Sequence, residues 1–130
     1  MGTMNGTRIA RISLRVDAVY CLALGLLLAL SAPLTSPSVA LHPLLLVGAG
    51  VLTAIWGCYV WTAARAQPLR SRTRLVMIAN VAASAALAAT GLFAETAVLF
   101  AAALVLAVDV AAFAVSQGVA LRRMGPPTAA

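Results

Sequence analysis

Two of the three acidic residues in this chain, Asp17 and Asp109, stand inside apolar stretches. A carboxyl group at the centre of a bilayer costs at least about 2.5–3.5 kcal/mol on insertion scales, so such a residue is expected to face other helices and to have a partner or a task. Held neutral in a dry apolar pocket, an acid can donate a proton, which makes Asp109 a candidate general acid. Ser116 and Gln117 follow it by seven and eight residues, on roughly the same helical face. Asp17 comes two residues after Arg15, in the first turns of its stretch, and Arg11 or Arg15 is the expected charge partner. It is the candidate second acid, or the group that orients the first. Asn80 is six residues beyond Arg74, and Gln117 five before Arg122. These short spacings from arginine place Asp17, Asn80 and Gln117 at nearly the same shallow depth, a polar layer with Asp109 above it. The plainer reading of such a layer is a hydrogen-bond network that sets helix register.

Trp56 and Phe113 are candidate walls of a ligand pocket, because aromatic faces can shelter a developing cation. Tyr59 and Trp61 fit an interfacial belt instead. Cys21 and Cys58 each stand alone, with no Cys-x-x-Cys pair, and read as reduced, space-filling thiols within reach of each other if their helices pack. His42 is the single histidine, so a bis-histidine haem or a histidine-based metal centre cannot be built within one chain, and it reads as a surface residue. No cofactor and no metal are expected.

The elements that must position these residues follow from composition. Of 130 residues, 63% are hydrophobic and only 9% charged, with a mean hydropathy of +1.03. That is more apolar surface than a water-facing fold can hide, and it excludes an ordinary soluble enzyme and a disordered chain. Four stretches are long enough for a hydrocarbon core of about 30 Å: 16–32, 44–64, 75–93 and 97–121. Alanine and leucine dominate and strand-like alternation is missing, so the expectation is all-α, a four-transmembrane-helix bundle forming one domain over 1–130. The three prolines between Ser31 and Pro43 are expected to stop the first helix and start the second. A short turn near Gly91 and Glu95 implies an antiparallel hairpin, and residues 124–130 read as a frayed tail. Arginines followed by an apolar run and Ser38-Val39-Ala40 also look like a signal peptide, but Asp17 heads the apolar run and the charge pattern suits four spans.

Every basic residue is arginine, and the formal charge is +6. Arg8, Arg11 and Arg15 precede the first stretch. Arg65, Arg70, Arg72 and Arg74 lie between the second and third, and Arg122 and Arg123 follow the fourth. The other two connections carry none. The positive-inside rule places both termini and the middle loop in the cytoplasm, in a multi-pass protein of the cell (inner) membrane. This bias also argues against insertion in both orientations. Arg8, Arg11 and Arg15 share one face, as in a short interfacial helix gripping anionic lipid headgroups. The partners expected are therefore the lipid bilayer and those headgroups, not nucleic acid.

Small residues suggest how the bundle packs. Ala79, Ala83 and Leu87 form one face of the third stretch, and Ala82, Ala86 and Thr90 the next; Ala103, Ala107 and Ala111 repeat at four-residue spacing in the fourth. Rows of this kind let backbones approach, so the third and fourth helices are expected to be the tightest pair. The same faces could instead build a homo-oligomer.

Arg15-x-Asp17-Ala-Val, then Gly25-Leu-Leu-Leu-Ala-Leu-x-Ala-Pro33-Leu, Asn80 and the closing Gln117-x-x-x-Leu-Arg-Arg123 run nearly the length of the chain. In these the sequence resembles small uncharacterised four-helix integral membrane proteins of high-GC actinobacteria, a resemblance that implies a fold and no activity. Its form is also similar to that of small integral-membrane terpene cyclases, in which intramembrane acids protonate an epoxide or alkene. That likeness implies a protein that binds or transforms a lipophilic, isoprenoid-like molecule, with Asp109 and Asp17 as acids and Asn80, Gln117, Ser116, Trp56 and Phe113 around the ligand. The alternative is a non-catalytic membrane subunit or scaffold. A small proton-coupled transporter is the third reading, weakened because Asp17 lies too near the membrane edge.

Overall fold

The computed structural model describes residues 5–125, all four of whose long elements are α-helices. They are α1 (Gly6–Val39), α2 (Pro43–Ala63), α3 (Leu69–Leu92) and α4 (Ala97–Met124). Each is long and apolar enough to cross a membrane. The expected frayed tail, apart from Met124 and Gly125, lies outside the described residues.

The first helix differs most from expectation. It begins ten residues before Val16 and runs through Pro33 and Pro37 without ending. Its 34 residues span about 51 Å, well beyond the hydrocarbon core. The separate interfacial helix is thus the opening turns of α1, started by the Asn5 side chain accepting from the Arg8 amide at 2.9 Å. Near the prolines, Thr35 Oγ1 donates to the Ser31 carbonyl at 2.8 Å, and the Ser36 hydroxyl donates to the Leu41 carbonyl. Neither hydroxyl goes to the carbonyls of Ala29 and Pro33, from which the prolines remove the usual donor; the unbroken helix is instead accompanied by burial of Ala32 and Val39 against neighbouring residues. Of the three prolines only Pro43 acts as a boundary, at the first position of α2, where His42 caps the helix by accepting from the Leu44 amide at 3.1 Å. At the head of α4, just after Glu95, Thr96 is the cap, its hydroxyl accepting from the Leu99 amide at 3.1 Å.

In cross-section the neighbours run α2, α1, α4, α3, with little contact between α2 and α3. The most extensive packing is between α1 and α2, which corrects the expectation for α3 and α4. The reason lies in glycine. Gly25 and Gly50 face each other across α1 and α2, and a Cβ on Gly25 would come within 2.5 Å of the Gly50 carbonyl oxygen. Ala29 and Ala54, four residues on in each helix, complete the crossing. In α3 the face against the bundle is Leu69, Thr73, Val76, Asn80 and Gly91, whereas Ala82, Ala86 and Thr90 are exposed. Ala103 and Ala107 of α4 are buried as the row predicts.

Polarity is arranged inside out. Asp17, Asn80, Thr73 and Gln117 are buried, while Leu34 is 83% exposed and Phe93 85%. An outward apolar sheath around inward polar groups suits a lipid surround, where lipid satisfies the leucines and only protein can satisfy the amides.

At the arginine-bearing end, Ala10, Leu14, Ala18, Val60, Leu69 and Ala120 share a core cluster. Arg70 reaches across it to donate to the carbonyl of Leu121 at 3.1 Å and to that of Gly125, closing the C-terminal end of α4. A cation there meets both the unpaired carbonyls and the negative end of the helix dipole. Arg70→Ala is therefore expected to cost about 1 kcal/mol, with faster amide exchange confined to the last turn of α4; uniform exchange along α4 would contradict this role.

Candidate functional site

The chemistry-bearing residues gather where α1, α3 and α4 meet. Asp17 is the hub. Its Oδ2 accepts from Asn80 Nδ2 at 2.7 Å and from Gln117 Nε2 at 3.0 Å, and its Oδ1 faces the Cys21 thiol at 3.5 Å. Asn80 Nδ2 also donates to Gln117 Oε1 at 3.1 Å, closing a three-residue ring across three helices. The polar layer read from depth is thus assembled with Asp17, Asn80 and Gln117 in direct contact. Its electrostatics differ from expectation. The hub's partners are neutral amides and a thiol, and among the described residues neither Arg11 nor Arg15 pairs with it. The arginines share the exposed face of α1, whereas Asp17 points the other way; residues two or six apart do not share a helical face.

Asp109 sits apart from this ring. It is half-buried and accepts from the Tyr20 hydroxyl at 2.8 Å, and the Tyr20 ring meets Phe113 edge-on with centroids 5.3 Å apart. Beside it Ser116 donates to the Phe113 carbonyl, so Ser13 supplies the hydrogen in the 2.6 Å Ser13–Ser116 contact. Tyr20 and Ser13 were not anticipated. The register carries the signal: pairing residue 17 with 117 in antiparallel helices brings residue 20 level with residue 114, from where the tyrosine side chain reaches Phe113 and Asp109. That register also revises the depth of Asp109. Counted down α4, it is about 20 Å from Arg122; through Tyr20 it is only about 8 Å along α1 from Arg15. The two counts differ because both helices continue past Arg15 toward the arginine-bearing end, where Gly6 packs against Ala120 and Met124.

Between α2 and α3 lies a cleft of about 460 Å³. Tyr20, Cys21, Leu24 and Leu28 of α1 and Leu106 and Val110 of α4 form its floor. Ala49, Leu52, Thr53 and Trp56 of α2 and Ala79, Asn80, Ala83 and Leu87 of α3 form its sides. The small residues Ala79 and Ala83, expected to press helices together, instead leave this space open. Trp56 and Asn80 are brought to it. Asp109, Phe113 and Ser116 are not among its lining residues, and Gln117 and Asp17 stand behind Asn80. Cys21 borders the cleft, whereas Cys58 is exposed on the other side of α2, so the two thiols face different spaces. His42 is on the surface as expected. Trp61 stacks under Arg65 at 5.3 Å, and Tyr59 accepts from Arg72 at 3.2 Å, which ties the aromatic belt to the arginine loop. Among the described residues no group of histidine, cysteine and carboxylate side chains is placed to hold a metal.

The chain matches no protein-family model, no curated protein and no solved structure. Function must therefore be argued from the site itself.

Proposed function

We propose that this chain is an integral protein of the cell membrane, with both termini and the α2–α3 loop cytoplasmic, that holds a lipophilic, isoprenoid-like molecule in the cleft between α2 and α3. One observation carries the reading: an apolar space at membrane depth with one buried amide, Asn80, at its inner wall. Concave, mostly apolar sites with a few placed polar groups are the usual form of small-molecule pockets. The neighbouring groove lined by Arg8, Arg11 and Arg15 suits anionic headgroups and would seat the arginine-bearing end on the cytoplasmic leaflet. Acid chemistry on a ligand would need a protonated Asp109 to give its proton to the Tyr20 oxygen as Tyr20, which borders the cleft, passes its own to the ligand, the reverse of the hydrogen bond that Tyr20 donates to Asp109.

The test is native mass spectrometry of the detergent-purified protein, its Ala83→Trp variant and its Asp109→Asn variant, with bound lipids identified. Ala83 is exposed along the cleft, so tryptophan there fills the space without entering the packed core. The expected result is a lipophile retained by the native chain, lost from Ala83→Trp and kept by Asp109→Asn. The asparagine can still accept from Tyr20, and its effect on stability should stay under about 1 kcal/mol. Loss from Asp109→Asn alone would move the site to the acid. Retention by none would favour the second reading, a non-catalytic subunit or scaffold, which the fully partnered Asp17 already suits. Orientation is checked separately: a fluorescent protein fused at the C-terminus should fluoresce, and a periplasm-dependent phosphatase fused there should be inactive.

A further inference from the structure

We infer that the cleft selects a ligand whose polar head donates a hydrogen bond, a lipid alcohol rather than a quinone, ketone or ester; the inference rests on the cleft being a ligand site at all. It follows from which hydrogen-bonding groups are already spent. Asn80 is 96% buried, being 4% exposed, and borders the cleft. Its amide nitrogen is committed to Asp17 and Gln117. An amide has two N–H donors and one carbonyl acceptor, so only the carbonyl oxygen remains, and it accepts from nothing among the described residues. Flipping the amide would set oxygen against the Asp17 carboxyl oxygen 2.7 Å away, so the network fixes which end faces the cleft.

Three of the four other donors that line the cleft are likewise occupied. The Tyr20 hydroxyl is on Asp109, the Thr53 hydroxyl on the Ala49 carbonyl and the Cys21 thiol on Asp17. The polar contact on offer at Asn80 is therefore an acceptor, and a head group with no hydrogen to give leaves it unpaired. A hydroxyl satisfies it; the Trp56 indole N–H, which has no partner among the described residues, serves a hydroxyl oxygen and a carbonyl oxygen alike, so the choice between heads is made at Asn80.

Two probes of equal chain length separate the cases, farnesol and farnesal, the second with an acceptor-only head. The chain has no lysine side chain to trap the aldehyde. Each is titrated into the full-length native protein and into Ala83→Trp, with bound fraction read by native mass spectrometry. Farnesol binding about three- to tenfold tighter than farnesal, the worth of one hydrogen bond, with both weakened by Ala83→Trp, supports the inference. Equal affinities, or tighter farnesal, with the same sensitivity to Ala83→Trp, overturn the donor-head inference and leave the cleft standing. Binding indifferent to Ala83→Trp, or no binding of either probe, removes the cleft reading and the inference together. Should Ala83→Trp fold poorly, Ala49→Trp on the opposite, exposed wall makes the same test.

Discussion

Asp17→Leu is expected to destabilise the bundle by about 2–4 kcal/mol, while Asp17→Asn costs about 1 kcal/mol. The difference comes from one oxygen. Both amide donors, Asn80 Nδ2 and Gln117 Nε2, converge on Asp17 Oδ2. Asparagine can keep a carbonyl oxygen there and place its amide where Oδ1 meets the Cys21 thiol, a weak partner in either role. Leucine leaves two buried donors without an acceptor, each costing about 1–3 kcal/mol in a core. Transmembrane bundles return less, about 0.6 kcal/mol on average and up to about 1.7 per interhelical bond, because the unfolded chain in the membrane finds partners too. Reversible unfolding in mixed micelles measures the pair. Equal losses from both substitutions would mean that charge, not the shared oxygen, holds the ring together.

The second large effect is steric. Gly25→Leu and Gly50→Leu should each cost about 3 kcal/mol or more and separate α1 from α2. Even a Cβ at Gly25 meets the Gly50 carbonyl oxygen at 2.5 Å and the Ala54 nitrogen at 2.6 Å, and one at Gly50 meets the Gly25 carbonyl oxygen at 2.5 Å. The atoms in the way are backbone, which cannot swing aside as a side chain can, so overpacking here exceeds the usual range of about 1–3 kcal/mol. Gly48 is the control on the same helix: a Cβ there meets nothing within 4 Å, and Gly48→Ala should be neutral or stabilising by up to about 1 kcal/mol. Thermal unfolding of the three variants in one detergent, with paired cysteines reporting the α1–α2 distance, decides the matter. A tolerated Gly25→Leu would mean the helices do not cross at these glycines.

Composition and hydrophobic length alone determined that the chain forms four apolar helices, since lipid leaves the backbone few other ways to satisfy its own polar groups. Arginine spacing placed Asp17, Asn80 and Gln117 at one depth, and a buried polar layer was legible for that reason. Depth along a helix says nothing about rotation around it, however. Only the packed structure decided that Asp17 turns inward to amides rather than to Arg11 or Arg15, and that Asp109 turns to Tyr20 and away from the cleft. The extent of α1 was also hidden, because proline's local preference to end a helix is overruled where tertiary packing holds the segment, as it does around Ala32 and Val39. Alanine rows in α3 were visible in sequence, but a small residue permits close approach without requiring it. Backbone meets backbone at Gly25 and Gly50, while Ala79 and Ala83 border open space, because packing energy depends on which faces the whole bundle brings together.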